Sequence, residues 1–168
     1  MSTRPAPIPE GYTTVTPWIV SEHAASVMDF IAKAFGATEL GRMADPDGKI
    51  AHPEMRIGTG VVMLFDAPEG WSAVPAFIRL YLDDAQATFD RAVASGATPI
   101  TQVTPLAFGD AVGRVRDPFG NIWWLQQRLE TVSAEEQARR WTDPRWSQAM
   151  DYVTTSFRRA GQNRSDLL

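Results

Sequence analysis

The pentapeptide Ala34-Phe-Gly-Ala-Thr38 returns about sixty residues later as Ala94-Ser-Gly-Ala-Thr98, a spacing that marks an internal repeat. In both places it joins a helical pattern to a strand-like run, and the elements around it recur in the same order. In the first copy, residues 13–20 are β-rich and Ser21 is a suitable helix N-cap. Ala24, Val27, Met28, Ile31 and Ala34 then fall at helical spacing until Gly36 stops the helix. Strands are expected at 38–43, 50–57 and 61–65, separated by the turns Asp45-Pro-Asp-Gly48 and Gly58-Thr-Gly60. After a loop at 67–75 the second copy begins, with a strand at 76–82, Asp83/Asp84 as cap and a helix over 85–95 ended by Gly96. Three strands follow at 98–103, 111–116 and 122–127. Asp117-Pro-Phe-Gly120 turns the last two into a hairpin, proline presetting one corner and Gly120 supplying a positive φ. Such a duplication predicts an α+β chain of two tandem β-α-β-β-β modules.

The tail breaks the pattern. Ser133-Ala-Glu-Glu136 fits a capping box opening a helix to about Trp141, and Asp143-Pro144 starts a second. Trp146, Met150, Val153 and Phe157 make an apolar stripe along that second helix, suited to core, interface or lid. The expected organisation is a flexible arm at 1–11, a domain at 12–130 (modules 12–67 and 76–128), a helical extension at 131–160 and a disordered tail at 161–168.

Bulk properties narrow the function. With 168 residues, a net charge of −4 and scattered arginines, the chain has the composition of a globular domain and no nucleic-acid footprint. It holds no cysteine, which excludes disulfides, thiol catalysis and zinc-thiolate sites. No apolar run approaches membrane-spanning length, and the proline-rich first residues lack the apolar core of a signal peptide. A cytoplasmic location is expected, with neither nucleic acid nor membrane as partner.

Strand alternation sorts the side chains onto two faces. One parity holds Val15, Pro17, Ile19, Val62, Leu64, Ile78, Leu80, Leu82, Trp123 and Leu125, apolar enough to lie under the helices. The other holds Thr16, Trp18, His52, Glu54, Arg56, Met63, Phe65, Phe77, Arg79, Tyr81, Arg114, Trp124 and Gln126. Five aromatics mixed with charges fit a ligand pocket, or a dimer surface that buries the same rings.

Several short motifs carry a resemblance. They are Ile8-Pro-Glu-Gly-Tyr12 with Val15-Thr-Pro-Trp18, Asp29-Phe30, Ala34-Phe-Gly-Ala37, Pro46-Asp-Gly-Lys49, Leu80-Tyr-Leu-Asp83, Gly109-Asp110 and Arg116-Asp-Pro-Phe-Gly120. In this order, over roughly residues 8 to 135, the chain resembles the glyoxalase/bleomycin-resistance/extradiol-dioxygenase (vicinal oxygen chelate) superfamily, nearest its phosphonate-operon B-like branch. The resemblance implies a curved mixed sheet around a pocket, often completed in a homodimer. Metal enzymes of that superfamily draw one ligand from each of four strands, and the matching positions here are Thr16, Met63, Phe77 and Trp124. None is a good donor for a divalent ion. No cofactor is therefore expected, and glyoxalase or dioxygenase chemistry loses its usual basis. Similar proteins without the ligands sequester drugs against aromatic side chains. Relatives often carry an aspartate at His23 and a histidine after the Asp-Pro-Phe-Gly turn, where this chain has Asn121.

His52 and Glu54 are the candidate catalytic residues, either a general acid/base pair or a hydrogen-bonded strand pair in which Arg56 is Glu54's ion partner. His23 reads as a surface or cap residue. The candidate ligand-binding residues are Trp18, Arg56, Met63, Phe77, Arg79, Tyr81, Phe108, Arg114 and Trp124. Arg79 and Arg114 could grip a carboxylate or instead neutralise Glu54 and Asp110. The expected function is metal-free binding of a small, partly aromatic organic molecule, for sequestration or a metal-independent step. The alternatives are a lyase, isomerase or dioxygenase-like enzyme using His52/Glu54, with or without a divalent metal, and an interaction module working through its tail helices.

Overall fold

The computed structural model describes residues 5–43 and 52–162, grouped into two units, Met1–Ala76 and Phe77–Leu168. The expected turn at 45–48 and the first residues of the expected third strand lie outside the described residues. Unit one contains β1 (Trp18–Ser21), α1 (Ala24–Phe35), β2 (Thr38–Gly41), β3 (Glu54–Ile57) and β4 (Gly60–Asp66). Unit two contains β5 (Phe77–Tyr81), α2 (Ala85–Ala94), β6 (Thr98–Pro105), β7 (Asp110–Arg116) and β8 (Ile122–Arg128), then α3 (Ala134–Arg140) and α4 (Pro144–Gln162). The fold class is α+β, two β-α-β-β-β modules followed by C-terminal helices.

The duplication extends to the hydrogen bonds. Each unit has a four-stranded sheet, ordered β1-β4-β3-β2 and β5-β8-β7-β6, with the first pair parallel and the others antiparallel. Each module helix also borrows a cap from the end of its last strand. Ala24 N–H donates to Asp66 Oδ1 at 2.7 Å and Ala85 N–H to Gln127 Oε1 at 3.1 Å, both across a sequence separation of 42.

The apolar parity closes the cores. Ile19 and Leu64 are fully buried in unit one, as are Val27 and Ile31 on α1. Trp123 and Leu125 take that place in unit two beside Phe89 and Ala92 of α2. Full burial of each large side chain stabilises the fold by about 1.5–3 kcal/mol.

Several element boundaries differ from expectation, most by one or two residues. β1 starts at Trp18, because Pro17 has no N–H to continue the ladder and contributes only its carbonyl, which accepts Met63 N–H. Val15 therefore precedes the strand and is 77% exposed, outside the core to which its parity assigned it. Ser21 ends β1, and its hydroxyl accepts His23 N–H; His23 is the N-cap position of α1 but makes no side-chain cap bond. β3 begins at Glu54, after the buried Pro53.

The hairpin turn is held by one buried carboxylate. Asp117 Oδ1 accepts the N–H groups of Phe119 and Asn121, and Oδ2 accepts Asn121 Nδ2 and Trp123 Nε1. Burial pushes its pKa up, against the opposing pull of those four bonds. The Asp117-Pro-Phe-Gly120 motif is thus a self-contained structural turn.

The tail packs on its own unit. Ser133 caps α3, and Asp143 Oδ1 accepts Arg145 N–H at the start of α4. α4 lies against β6, with Val153 buried beside Leu106 and Val112 and with Phe108, Trp124 and Ala149 around them. Of the stripe residues, Val153 is buried and Phe157 packs on Phe77 and Trp124, while Trp146 and Met150 are half-buried.

Candidate functional site

Strand register aligns one row of side chains across each sheet. In unit one Trp18 lies opposite Met63, and Met63 opposite Glu54. In unit two Arg79 lies opposite Trp124, Trp124 opposite Arg114, and Arg114 opposite Thr101. The two rows occupy equivalent places in the repeat but differ in chemistry. One ends in a carboxylate, and the other carries two guanidinium groups on one indole.

Unit one exposes a chain of rings. Trp18 meets His52 and Phe65 edge to face at centroid distances of 5.2 and 5.5 Å, and Phe65 meets Trp71 at 6.4 Å. Trp18 is 41% and Trp71 62% exposed, and Met63 is half-buried in the strand beside Trp18. Trp71 comes from the 67–75 loop. Its only sequence signal was an aromatic residue among Pro and Gly, and it was missed.

Glu54 is held from an unexpected side. Its carboxylate accepts the Tyr12 hydroxyl, and that bond raises the Tyr12 pKa. Arg56, expected as Glu54's ion partner, donates instead to the Gly11 carbonyl at 3.1 Å. The backbone explains the choice: at Gly11, with φ 78°, an added Cβ would stand 2.7 Å from Arg56 Nη2. The segment before β1 is thereby fastened to β3 through Gly11 and Tyr12. His52 and Glu54 lie on one edge of this patch, with Tyr12 as a third titratable group.

Unit two gathers Phe77, Arg79, Tyr81, Phe108, Arg114 and Trp124, but its own C-terminal helix covers part of the set. Phe157 packs on Phe77 and Trp124 at 5.4 and 6.2 Å. Arg114 is only 3% exposed; its guanidinium lies 3.8 Å from the Trp124 ring centre and 4.8 Å from that of Phe157. Nη1 donates to Thr101 Oγ1 at 3.1 Å and to the Val153 carbonyl at 2.9 Å, while Nε is buried without an acceptor. Among the described residues no carboxylate is paired with this cation, and burial, with Arg79 nearby, holds its pKa down to about 10. Arg79 lies over the same indole at 4.4 Å and is exposed, as are Phe77 (50%) and Tyr81 (64%). Asp110 accepts from Gln126 Nε2, so its partner is not an arginine.

The positions facing each other across the parallel strand pairs also bear on metal binding. Opposite Met63 stands Trp18, and opposite Trp124 stands Arg79; Thr16 precedes β1 and Phe77 pairs with Ile122. Whichever of these is matched to the superfamily's ligand positions, the atoms offered are ring carbons, a thioether, a hydroxyl or a cation. These do not fit a divalent ion. Among the described residues no three His, Cys, Asp or Glu side chains are grouped to hold one.

Comparison with known proteins agrees with this architecture. Residues 13–125 match the family model of the Glyoxalase/Bleomycin resistance protein/Dioxygenase superfamily, and the chain belongs to that superfamily. An uncharacterized protein of Mycobacterium bovis is 39% identical over 133 residues, covering 73% of this chain and 88% of its own. Among solved structures, TioX from Micromonospora sp. ML1 superposes with a TM-score of 0.60 at 22% identity, over 70% of this chain and 99% of TioX. A PhnB protein from Bacillus cereus gives a TM-score of 0.53 at 15% identity, over 68% of this chain and 99% of its own. At these identities the structural matches establish the fold. No helix among the described residues is long and apolar enough to cross a membrane.

Proposed function

We propose that the protein binds a small, partly aromatic, anionic organic molecule without a metal at the superfamily's usual positions. The observation that carries the reading is the uncovered chain of rings on unit one. Trp18, Phe65, Trp71 and His52 meet edge to face at the surface, where such rings gain most by accepting another ring. Met63 would fill space beside that ligand, as a thioether does against aromatic edges. On unit two, Phe77 and Tyr81 offer a separate pair of rings, and Arg79 offers a charge with no acid partner among the described residues. Trp124 acts there mainly as the surface on which Arg79 and Arg114 lie. The role would be sequestration or a metal-free step, in the cytoplasm and in a homodimer.

Calorimetric titration with 2-naphthoate and neutral 2-naphthol tests this reading. Trp18→Ala should weaken both by about tenfold, the loss of one ring contact and its burial. Arg79→Ala should weaken only naphthoate bound on unit two, a surface tested separately from the rings of unit one. Absence of binding by both compounds, or affinities unchanged in both variants, would reject the proposal.

One observation favours a second reading, an enzyme. Glu54 is bonded to Tyr12 beside His52, an arrangement of three titratable groups that could move a proton. Its test is metal content after incubation with Ni, Zn, Mn and Fe(II) and desalting. About one ion per chain, lost in His52→Ala or Glu54→Ala, would make the enzyme the leading case.

A further inference from the structure

Unit two contains a cavity of about 380 Å³ on the side of α4 near its C-terminal end, away from the Phe77–Tyr81 strand. Thr98, Pro99 and Ile100 of β6, Arg116 at the end of β7, and Tyr152, Ser156, Arg159 and Ala160 of α4 line it. We propose that this cavity is a second binding site, for a compact organic oxyanion, a carboxylate or phosphate monoester carried on a small apolar body.

The first argument is charge. Two arginines line the cavity and no acidic side chain does. Neither Arg116 nor Arg159 forms an ion pair among the described residues. Arg116 uses Nη2 on the Ala160 carbonyl at 2.6 Å, and its Nε is buried without an acceptor. Arg114, also without an acid partner among the described residues, stands two residues back on the same strand, so the side-chain charge on this side is positive although the chain is net acidic. An oxyanion meets such guanidinium groups with charge-assisted, often paired, hydrogen bonds.

The second argument is construction. The walls are fixed by a ladder of bonds between α4 and the sheet: Gln102 N–H to Tyr152 Oη at 3.0 Å, Thr101 to Ser156 hydroxyl at 2.8 Å, and the Arg116 bond just described. Register slips between Pro99 and Thr101, so Ile100 is an extra residue where the strand bends. Pro99, Ile100 and the Tyr152 ring then give the cavity an apolar side facing the cationic one. Its volume lies at the lower end of the range usual for small-molecule pockets, about 300–1,000 Å³. A substituted benzoate has the right size and polarity.

The site is independent of the rings in unit one and of Arg79, and it is tested separately from them. Titrate the full chain with benzoate, phenyl phosphate, inorganic phosphate and neutral benzyl alcohol, in wild type, Arg159→Glu, Arg159→Lys, Trp18→Ala and Arg79→Ala. Arg159 is exposed and its side chain makes no hydrogen bond or ion pair among the described residues, so its variants should fold normally. The expected result is saturable binding of benzoate or phenyl phosphate, weakened about tenfold or more by Arg159→Glu, less by Arg159→Lys, and unchanged by the other two variants. Phenyl phosphate binding without benzoate, with inorganic phosphate competing, would assign the site to phosphate esters; the reverse would assign it to carboxylates. The proposal is overturned if benzyl alcohol binds as well as benzoate, if Arg159→Glu has no effect, if Trp18→Ala or Arg79→Ala abolishes binding, or if neither anion binds.

Discussion

Replacing Arg114 by methionine should cost only about 1 kcal/mol of stability, although it removes a buried, hydrogen-bonded side chain. A guanidinium held down to about 10 carries a charge that folding disfavours by about 3 kcal/mol. Against that stand its bonds to Thr101 Oγ1 and to the Val153 carbonyl, each worth about 2 kcal/mol because the donor is charged. Methionine keeps an aliphatic stem between Trp124 and Phe157, so most of the packing survives. Loss of a penalty near 3 kcal/mol, set against roughly 4 kcal/mol of lost bonds, leaves a cost of about 1 kcal/mol. Because the folded-state pKa of this base is depressed, the penalty is complete below about 10 and lifts only as pH rises through that value. The difference between the two proteins should therefore be constant across neutral pH. Urea unfolding measures it, with a midpoint expected to fall by roughly 0.5 M for an m-value of about 2 kcal/mol/M. Arg114→Ala, which also discards the stem, should fall further below wild type. If Arg114→Met instead lowered stability by about 3 kcal/mol or more, the cation would be a structural requirement. Its lack of an acid partner would then say nothing about a ligand.

Other consequences can be checked with single variants. Asp117→Asn should destabilise by about 2–4 kcal/mol in the same assay, since an amide turns one of its two acceptor atoms into a donor facing N–H groups. The Asp117 pKa is raised in the folded state, so its contribution to stability is greatest at acid pH and declines as pH climbs through the raised value. The Asn variant should lack that decline. Gly109→Ala places a Cβ 2.5 Å from the Glu130 carbonyl at a φ of 92°, and should lower thermal stability by several degrees. Asp66→Ala uncaps α1 and should cost about 1 kcal/mol, measurable by chemical denaturation.

The repeated pentapeptide, the helical spacings and the alternating strands were enough to give the fold class, because each depends on local periodicity and on turns set by proline and glycine. Ile19, Leu64, Trp123 and Leu125 fell on the buried face as their parity required. Proline also explains where that reading failed: Pro17 cannot donate to a ladder, so β1 began later and Val15 stayed outside. The row Trp18–Met63–Glu54 and the row Arg79–Trp124–Arg114 were legible as one set of like-facing residues. Their partners were not. Sequence spacing cannot tell that Tyr12 reaches Glu54, that Gly11 takes Arg56, or that Phe157 and the Val153 carbonyl close over Arg114. Those contacts join residues about forty positions apart or form where a separate helix docks on the sheet, and only the packed chain decides them. The sequence by itself set the modules and the faces of their strands. The tertiary structure determined how the rings on the face of unit one meet one another and how the face of unit two is partly covered by its own tail.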